Sequence, residues 1–354
     1  MSLFKKIADS YEKNKPFVAY NKPNETLLSG FFLSNDTLQK NTDFNASGFV
    51  FAPFNEDEDA IIFPLEQSEC INEDLYFMDT FLESKSVLDN LDVTLKEKHI
   101  EIVAKAIAKI KEQNCKKIVI SRFEEIQLTS FDLLAVFKSL LHYYRNAFVY
   151  VWFHPKVGLW LGATPETLLH VSENSFQTMS LAGTQLFNEN KNPIWKSKEL
   201  EEQILVTNFI KKQLQPISSY LKINNTETVR AGTLLHLRTR VEGQLKKNIS
   251  LENLIRAIHP TPAVCGLPRE ESKKFILKNE SYNRDFYTGF LGELNLSNGK
   301  NDKQRSILFV NLRCMSIASN VAKIYAGGGI TKDSDPEKEW LETVAKSNTM
   351  KQVL

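Results

Sequence analysis

The feature that most constrains the fold is a strand that ends in three glycines and leads into a helix near the end of the chain. Residues 324–330 read Ile-Tyr-Ala-Gly-Gly-Gly-Ile, and a polar turn follows them. Ser334 or Asp335 can cap the helix, and Pro336 suits its first turn. This order predicts a strand joined to a helix by a short turn, with the glycines close to the junction.

The predicted helix has an acidic face. At 100° per residue, Glu339, Glu342 and Lys346 fall together. The opposite face carries Trp340, Leu341 and Val344. Such spacing usually indicates a solvent-exposed face with an i,i+4 ion pair. A similar stretch far upstream favours a second hypothesis.

The upstream stretch, residues 198–212, places two carboxylates on a face that otherwise looks buried. On a helical wheel Glu199 and Glu202 lie with Val206, Phe209 and Ile210. Burying an unpaired carboxylate is costly, and a hard cation held by oxygen ligands is a common remedy. Two ExxE pairs on two helices are therefore compatible with a Mg²⁺ site, although helical spacing alone does not establish one.

The charge balance and the cysteines bear on compartment and partners. The 354-residue chain has a net charge of +1, which gives no sign of a nucleic-acid or membrane surface. Its four cysteines are far apart and form no CxxC pair, which is typical of reduced thiols. The first residues lack the apolar core of a signal peptide, and the most apolar stretch, residues 147–153, is too short to span a bilayer. We expect a cytoplasmic enzyme or binding protein.

Strand and helix patterns follow one another irregularly, which favours an α+β fold. Residues 95–113 and 131–144 predict amphipathic helices. Residues 286–294 and 305–317 look like hairpin partners across a turn at residues 298–302. Hairpins in place of a strict βαβ repeat predict antiparallel sheets.

The first quarter of the chain is the least informative part. Residues 1–94 contain short strand-like segments broken by Asn, Asp and Pro. No low-complexity linker separates them from the rest, so we treat them as the N-terminal part of the same domain.

Seven short motifs, together with the two ExxE pairs, resemble those of the chorismate-utilising enzymes, in matching order. The motifs are Lys117-Ile-Val-Ile-Ser-Arg122, Gly162-Ala-Thr-Pro-Glu166, Leu181-Ala-Gly-Thr184, His259-Pro-Thr-Pro-Ala263, Arg284-Asp-Phe-Tyr-Thr-Gly289, Asn311-Leu-Arg-Cys314 and Tyr325-Ala-Gly-Gly-Gly-Ile330. Each motif alone is weak, but seven in order are specific. The closest pattern is isochorismate synthase of the menaquinone or siderophore type. The resemblance implies a single large chorismate-binding α+β domain with two antiparallel β-sheets and helices outside, in which residues 95–354 form the catalytic region.

The resemblance implies two catalytic residues. Lys117 matches the base that activates water, a role that requires a neutral amine. Glu166 matches the general acid that protonates the departing C4 hydroxyl of chorismate, and a raised pKa would suit that role. From the residues alone, Lys117 would pass as a solvated lysine and Glu166 as an acid in a turn.

The resemblance also implies a metal site. Glu202 and Glu342 match direct ligands of Mg²⁺. Glu199 and Glu339 match neighbouring residues that act on the ion through a water molecule or contact its direct ligands. Mg²⁺ typically keeps several waters and accepts one or two carboxylates plus substrate oxygens. Gln203 departs from the pattern, because several relatives have histidine there, and this difference bears on how Glu202 is oriented.

Further positions match residues that face the substrate. Arg313 and Lys346 match the side chains that hold the enolpyruvyl carboxylate, and a guanidinium suits a carboxylate bidentately. Backbone N–H groups of the glycines from Gly327 onward suit the same anion. The remaining substrate-binding candidates are Gly183, Thr184, Tyr287 and His259. A structural role in the proline-rich loop is an equal alternative for His259. His99, His142, His154, His170 and His236 show no ligand spacing and are interpreted as surface or core residues.

The implied function is isochorismate synthase, which converts chorismate reversibly into isochorismate with Mg²⁺. Salicylate synthase, which also eliminates pyruvate, and a non-catalytic chorismate-binding subunit remain alternatives. Ammonia-using relatives tend to carry glutamine at the position of Lys117, and some carry a nucleophilic lysine where this chain has Ala182. We therefore expect water as the attacking group, no glutaminase subunit, and a monomer or weak homodimer.

Overall fold

The fold is built from α-helices and antiparallel strands that follow one another irregularly along the chain. A computed structural model describes residues 2–75, 93–112, 115–187, 193–231, 234–297 and 303–354. The helices within them are α1 (Leu3–Glu12), α2 (Val93–Lys111), α3 (Leu133–Tyr143), α4 (Ser197–Leu214), α5 (Leu251–Ile258), α6 (Arg269–Asn279) and α7 (Pro336–Lys351), with a 3₁₀ turn at Leu65–Gln67. The strands are β1 (Phe17–Asn21), β2 (Leu27–Leu33), β3 (Lys40–Asn41), β4 (Gly48–Ala52), β5 (Ala60–Pro64), β6 (Ser68–Asp74), β7 (Lys117–Gln127), β8 (Phe148–His154), β9 (Gly158–Thr164), β10 (Thr167–Ser172), β11 (Ser175–Leu186), β12 (Ser218–Ile223), β13 (Glu227–Ala231), β14 (Leu234–Leu245), β15 (Gly266–Leu267), β16 (Phe290–Leu296), β17 (Arg305–Val310), β18 (Cys314–Ala318) and β19 (Val321–Ile330).

The strands form two antiparallel sheets. The nine-stranded sheet has the order β15-β7-β19-β18-β9-β8-β1-β2-β6. The ten-stranded sheet has the order β12-β14-β11-β10-β17-β16-β4-β5-β3, with β13 paired to β14. Strands from the first quarter are integral to both sheets, because β1 pairs with β8 and β4 pairs with β16. The predicted α+β fold with two antiparallel sheets in a single domain is confirmed.

An aromatic layer lies between the sheets. Successive side chains of a strand point to opposite faces, so Phe148, Tyr150 and Trp152 of β8 all face the ten-stranded sheet. The ring of Phe148 lies 4.2 Å from that of Phe309, and the ring of Phe51 lies 5.0 Å from that of Trp152. Rings in such contact contribute stability beyond that of the area that they bury. The aromatic layer therefore stabilises the packing of the two sheets against each other.

The helices cover the outer faces. Helices α1 and α3 pack on the nine-stranded sheet through residues such as Ile7 and Phe137. Helices α4 and α5 pack on the ten-stranded sheet through residues such as Ile210 and Leu254. Helices α2, α6 and α7 contact β7 or β19 near one end of the nine-stranded sheet. No helix among these described residues is long and apolar enough to cross a membrane.

Two of the crossings at which the chain passes from one sheet to the other are adjacent. One crossing is at Pro165 and Glu166, between β9 and β10, and the other lies between β17 and β18. Backbone hydrogen bonds join the crossings, from the Val310 N–H to the Glu166 carbonyl and from the Ala163 N–H to the Arg313 carbonyl, each 2.9 Å long. Two predicted site residues, Glu166 and Arg313, are thereby held together by the backbone.

Two local expectations differ from the structure. Residues 305–317 form two strands in different sheets, and only β17 is the hairpin partner of β16. Their predicted turn at residues 298–302 lies outside the described residues. In α7 the acidic face is partly buried, with Glu339 2% exposed, whereas Leu341 on the predicted apolar face is 61% exposed. The reason is that α7 packs its acidic face onto β19, where the glycines leave room for carboxylates.

Candidate active site

A cleft of about 720 Å³ lies beside the two crossings, where α4 and α7 meet the strand ends. Most of the predicted site residues line it. They are Glu166, Gly183, Thr184, Glu202, Tyr287, Arg313, Gly327, Glu342 and Lys346. Lys117 and Glu339 lie directly behind this lining, against the glycines of β19.

The glycines of β19 make room for charged side chains. Gly327, Gly328 and Gly329 pair with the start of β7. A Cβ atom added at Gly329 would lie 2.6 Å from Lys117 Cε and 2.7 Å from Glu202 Oε1. Since real Cβ contacts are not this short, glycine at position 329 is needed for the ion pair to sit against the strand.

Each of three acids is paired with a lysine. The ion pairs are Lys117 Nζ to Glu202 Oε1 at 2.7 Å, Lys346 Nζ to Glu342 Oε1 at 2.6 Å and Lys198 Nζ to Glu339 Oε1 at 2.8 Å. Within the described part of the chain, no three His, Cys, Asp or Glu side chains form a ready-made metal site. The acids are instead in contact with amines, which keeps their buried charge balanced.

Glu339 and Glu342 still present oxygens toward one point. Glu339 Oε2 and Glu342 Oε1 lie 3.2 Å and 3.9 Å from the position that a Cβ of Gly328 would occupy. Among the described residues Glu339 Oε2 accepts no hydrogen bond. Burial and the charge of Glu342 raise the pKa of Glu339, although Lys198 and the hydroxyl of Ser334 oppose the shift. A buried carboxylate oxygen without a partner is suited to a cation.

Burial and nearby charge act in opposite directions on Glu342. Burial alone would raise its pKa, but the charge and hydrogen bond of Lys346, with the charge of Lys198, leave the pKa below its ordinary value. The charge of Lys346 therefore keeps this carboxylate ionised. The hydrogen bond from Lys346 to the Gly327 carbonyl, 2.8 Å long, holds the amine over β19.

Among the four predicted metal-site glutamates, Glu199 is placed differently from Glu202, Glu339 and Glu342. Its Oε2 accepts a hydrogen bond from the Lys196 N–H, 3.0 Å long, at the start of α4. Its Cβ lies 3.1 Å from the position that a Cβ of Gly183 would occupy. Glu199 therefore caps α4 and packs on β11, and the structure does not bring its carboxylate into the cleft lining.

Lys117 is buried, with only 1% of its side chain exposed. It begins β7, and its carbonyl accepts a hydrogen bond from Ser272 Oγ, 3.0 Å long. A solvated lysine, the simplest interpretation of the sequence, is therefore not what the structure contains. Its role as a base remains a prediction.

Glu166 is a buried carboxyl group with three cations around it. Burial raises its pKa to about 7, while Lys117, Lys346 and Arg313 act in the opposite direction. Burial dominates because desolvation penalises the charged form. At neutral pH this carboxyl group can therefore hold or release a proton.

Arg313 has a left-handed backbone conformation, with φ +46°. This conformation is uncommon for a residue other than glycine and lies at the crossing from β17 to β18. The guanidinium donates to Thr349 Oγ1 over 3.2 Å, and the side chain lines the cleft beside Lys346. The strained turn thus aims a cation into the cleft from between the sheets.

His236 is a cleft residue that the sequence interpretation missed. Burial, together with Arg313 and Lys346, lowers its pKa to about 3, so the ring is neutral. Its Nδ1 lies 3.2 Å from the Gly183 carbonyl, to which it donates, and 3.2 Å from Thr184 Oγ1. Nε2 is then an acceptor that has no partner within the described residues. The sequence offers no signal for this role, because the position of His236 opposite Thr184 depends on the pairing of β14 with β11.

His259 lies outside this cleft. It follows α5, is 3% exposed, and packs against the ring of Phe290 with 5.0 Å between ring centroids. It lines a separate cavity with Asn41 and Arg256. The alternative of a structural histidine in the proline-rich loop agrees with this position.

The fold and the cleft define a class of two-sheet α+β proteins with a small, charged cleft beside adjacent crossings between the sheets. The chain belongs to the family of chorismate binding enzymes, whose model matches residues 50–354. The resemblance seen in the motifs is confirmed at this level.

Three relatives show how far the similarity extends. Isochorismate synthase MenF of Escherichia coli (strain K12) is 29% identical over 264 residues, which are 72% of this chain and 59% of that protein. Isochorismate synthase EntC of the same strain is 30% identical over 262 residues, 71% of this chain and 65% of that protein. The match thus spans about three fifths of these relatives. The structure of DhbC from Bacillus anthracis, described as a 2,3-dihydroxybenzoate-specific isochorismate synthase, superposes with a TM-score of 0.79 at 25% identity and covers 99% of both chains.

Proposed function

We propose that this protein is an isochorismate synthase, an isomerase that converts chorismate and water reversibly into isochorismate and water. The observation that carries the proposal is a buried amine, Lys117, directly behind the lining of the cleft, together with a buried carboxyl group in that lining, Glu166, whose pKa burial raises to about 7. The reaction adds one hydroxyl group and removes another. It therefore requires a base and an acid that are both shielded from bulk water at one site. The relatives named above carry this activity in their names.

In the proposed reaction Lys117 and Glu166 exchange protons with water and substrate. Lys117 takes a proton from a water molecule whose oxygen bonds to C2, which requires that its amine first give up the proton that it carries in the ion pair with Glu202. Both ring double bonds shift, from C1=C2 to C1=C6 and from C5=C6 to C4=C5, and the C4–oxygen bond breaks. Glu166 gives its proton to the departing hydroxyl, which leaves as water. One water enters and one leaves, so the reaction is an isomerisation.

Two cations of the cleft suit the carboxylates of chorismate. Arg313 and Lys346 both line the cleft, and Arg313 can pair with a carboxylate bidentately. The unpartnered Nε2 of His236 is an acceptor for a hydroxyl of the substrate. These groups would orient the chorismate ring between Lys117 and Glu166. Such positioning of a substrate supplies much of the rate enhancement in enzymes.

Mg²⁺ fits the acidic side of the cleft. Glu202, Glu339 and Glu342 supply oxygen donors of the kind that this ion prefers, and Glu339 Oε2 has no partner in the described structure. When bound, Mg²⁺ would neutralise a substrate carboxylate. Lys117, Lys198 and Lys346 hold the acids in place without it, and their ion pairs would have to loosen when the ion binds.

The test is product identification with purified protein, chorismate and Mg²⁺. We expect isochorismate on chromatography and no pyruvate in an assay coupled to lactate dehydrogenase. Stoichiometric pyruvate with fluorescent salicylate would instead indicate a salicylate synthase. No turnover under any condition would indicate a non-catalytic chorismate-binding protein.

Lys117→Gln tests the amine within the same assay. We expect no isochorismate from this variant, and no aminated product from the wild type in excess ammonium salt. Lys116→Gln is the matched control, because Lys116 is the exposed neighbour. Isochorismate formation by Lys117→Gln at the wild-type rate would contradict the role of Lys117. So would an aminated product from the wild-type protein in ammonium salt.

A further inference from the structure

Gln203 is a buried amide whose hydrogen-bonding groups contact two strands. It follows Glu202 on α4 and is 2% exposed. Its Oε1 accepts from the Ala182 N–H over 2.9 Å, and its Nε2 lies 3.2 Å from the Ser180 carbonyl, 2.8 Å from Ser180 Oγ and 2.9 Å from Thr239 Oγ1. Ser180 and Ala182 belong to β11, and Thr239 belongs to β14. One side chain therefore connects α4 to both strands of the antiparallel β11–β14 pair.

The register of the β11–β14 pair shifts next to Ala182, the residue whose N–H donates to Gln203. Ala182 pairs with Leu237 and Thr184 pairs with His236, so Gly183 is an extra residue in β11. Gly183 has φ +64°, and α4 lies directly on it through Glu199. A bulge of this kind frees backbone groups from the ladder, and the Gln203 amide supplies the partner for the Ala182 N–H.

The bulge forms one wall of the reaction cleft. Gly183 presents its carbonyl to His236 Nδ1, and Thr184 lies beside the same nitrogen. Glu202, which directly precedes Gln203 on α4, also lines the cleft. The position of Glu202 relative to the bulge thus depends on how α4 is attached to β11.

A small network holds the amide in one orientation. Thr207 Oγ1 donates to the Gln203 carbonyl over 2.9 Å and lies 2.7 Å from Ser180 Oγ. On the other side, Thr226 Oγ1 lies 2.8 Å from Thr239 Oγ1. Only a neutral group with both a donor and an acceptor can satisfy the Ala182 N–H and the Ser180 carbonyl at once.

We propose that Gln203 is a positioning residue that fixes the bulge at Gly183 against α4, and thereby sets the relative positions of the Glu202 carboxylate and the His236 ring in the cleft. The proposal rests on the proposed function, because it concerns the same reaction and the metal ion that Glu202 would bind. Residues that orient metal-binding side chains typically change metal affinity or activity by about 10–100-fold when they are removed.

The test uses Gln203→Leu, which is similar in size and makes no hydrogen bonds, and Mn²⁺ as a spectroscopic probe of the metal site. We expect the dissociation constant for Mn²⁺, measured by electron paramagnetic resonance without chorismate, to rise about tenfold or more. We expect kcat at saturating Mg²⁺ to fall by a similar factor. If Gln203→Leu is insoluble, Gln203→Met takes its place, because the unbranched side chain fits the same path.

Thr226→Val is the matched control, since it removes a hydrogen bond from the same network without touching the bulge. It should leave Mn²⁺ affinity and kcat within about twofold of wild type, even where Tm falls. Wild-type Mn²⁺ affinity and kcat in the Gln203 variants, with a change in Tm alone, would overturn the proposal. Equal losses in Thr226→Val, or no Mn²⁺ binding by the wild type, would also overturn it. A wild type that binds Mn²⁺ but makes no isochorismate contradicts the proposed function only, and the affinity comparison still decides the role of Gln203.

Discussion

At the scale of single residues, Glu166 shows how the fold creates reactivity. An acid in a turn is ordinarily ionised at pH 7, but Glu166 is 4% exposed and burial raises its pKa to about 7. The backbone fixes it there, because its carbonyl accepts from the Val310 N–H at the neighbouring crossing. The position in the sequence, directly after Thr-Pro at the end of a strand, gives no measure of this burial.

Replacing Glu166 by Gln should remove activity and add stability. Without a general acid we expect kcat to fall about 10²-fold or more. The folded pKa of about 7 lies above the ordinary value of 4.5, so the contribution of Glu166 to stability is fully present below about pH 4.5 and is lost as pH rises through 7. Glu166→Gln should therefore be more stable than wild type at pH 8, by up to about 3 kcal/mol, and not at pH 4.5.

The measurements are steady-state kinetics and urea unfolding at both pH values. Wild-type kcat should also fall as pH rises above about 7, since the acid must carry its proton. Glu12→Gln, at an exposed acid of α1, is the control and should show neither effect. A Glu166→Gln variant with wild-type kcat would exclude the proposed role.

At the scale of elements, β19 and α7 together explain the acidic side of the cleft. The glycines of β19 lack the side chains that would keep α4 and α7 away, and the carboxylates of both helices fill the space. Gly329 is the most crowded position, since its Cβ would meet Lys117 Cε and Glu202 Oε1. Gly328 faces Glu339 and Glu342 at longer distances.

Gly329→Ala should therefore damage the site more than Gly328→Ala. We expect Gly329→Ala to displace the Lys117–Glu202 ion pair and to lower kcat by at least about tenfold, because catalysis requires accurate positioning. Gly328→Ala should have the smaller effect, because Glu339 can shift by a few tenths of an ångström. Steady-state kinetics with circular dichroism to verify folding compare the two. The reverse order would contradict this description of the strand.

Some elements could be predicted from the sequence and others could not. Helices α3 and α4 follow from local periodicity, and the glycine strand with its helix follows from turn chemistry. The division of residues 305–317 into β17 and β18 was not predictable, because it depends on which sheet each half joins. The exposed Leu341 and the buried Glu339 reverse the helical-wheel expectation, since tertiary contacts with β19 decide which face of α7 is buried. His236 was missed because its role depends on strand register and not on spacing.

At the scale of the whole molecule, a buried ion pair joins several segments around the cleft. Arg284 and Glu280 are both 1% exposed, with a 2.6 Å contact. Arg284 also donates to the carbonyls of Val264 and Val119, while Glu280 accepts from the N–H of Ser121. The pair thereby connects β7, α6 and the segment before β16.

Arg284→Met should be strongly destabilising. Removing one partner of a buried ion pair leaves the other charge uncompensated, which typically costs about 3–5 kcal/mol. The control is Arg256→Met, because Arg256 and Glu252 form an exposed pair with the same i,i+4 spacing and should contribute about 1 kcal/mol or less. Urea unfolding measures both. Equal effects would show that burial is not what gives the Arg284 pair its importance.

The most direct test of the central claim, that water attacks C2 while the C4 hydroxyl departs, is isotope incorporation. Chorismate and Mg²⁺ are incubated with the protein in H₂¹⁸O, and the isochorismate is analysed by mass spectrometry. The proposed roles of Lys117 and Glu166 predict one ¹⁸O atom in the product, located in the C2 hydroxyl. Isochorismate that retains only ¹⁶O would show that the hydroxyl migrates within the substrate, and it would contradict the assignment of Lys117 as the base for water.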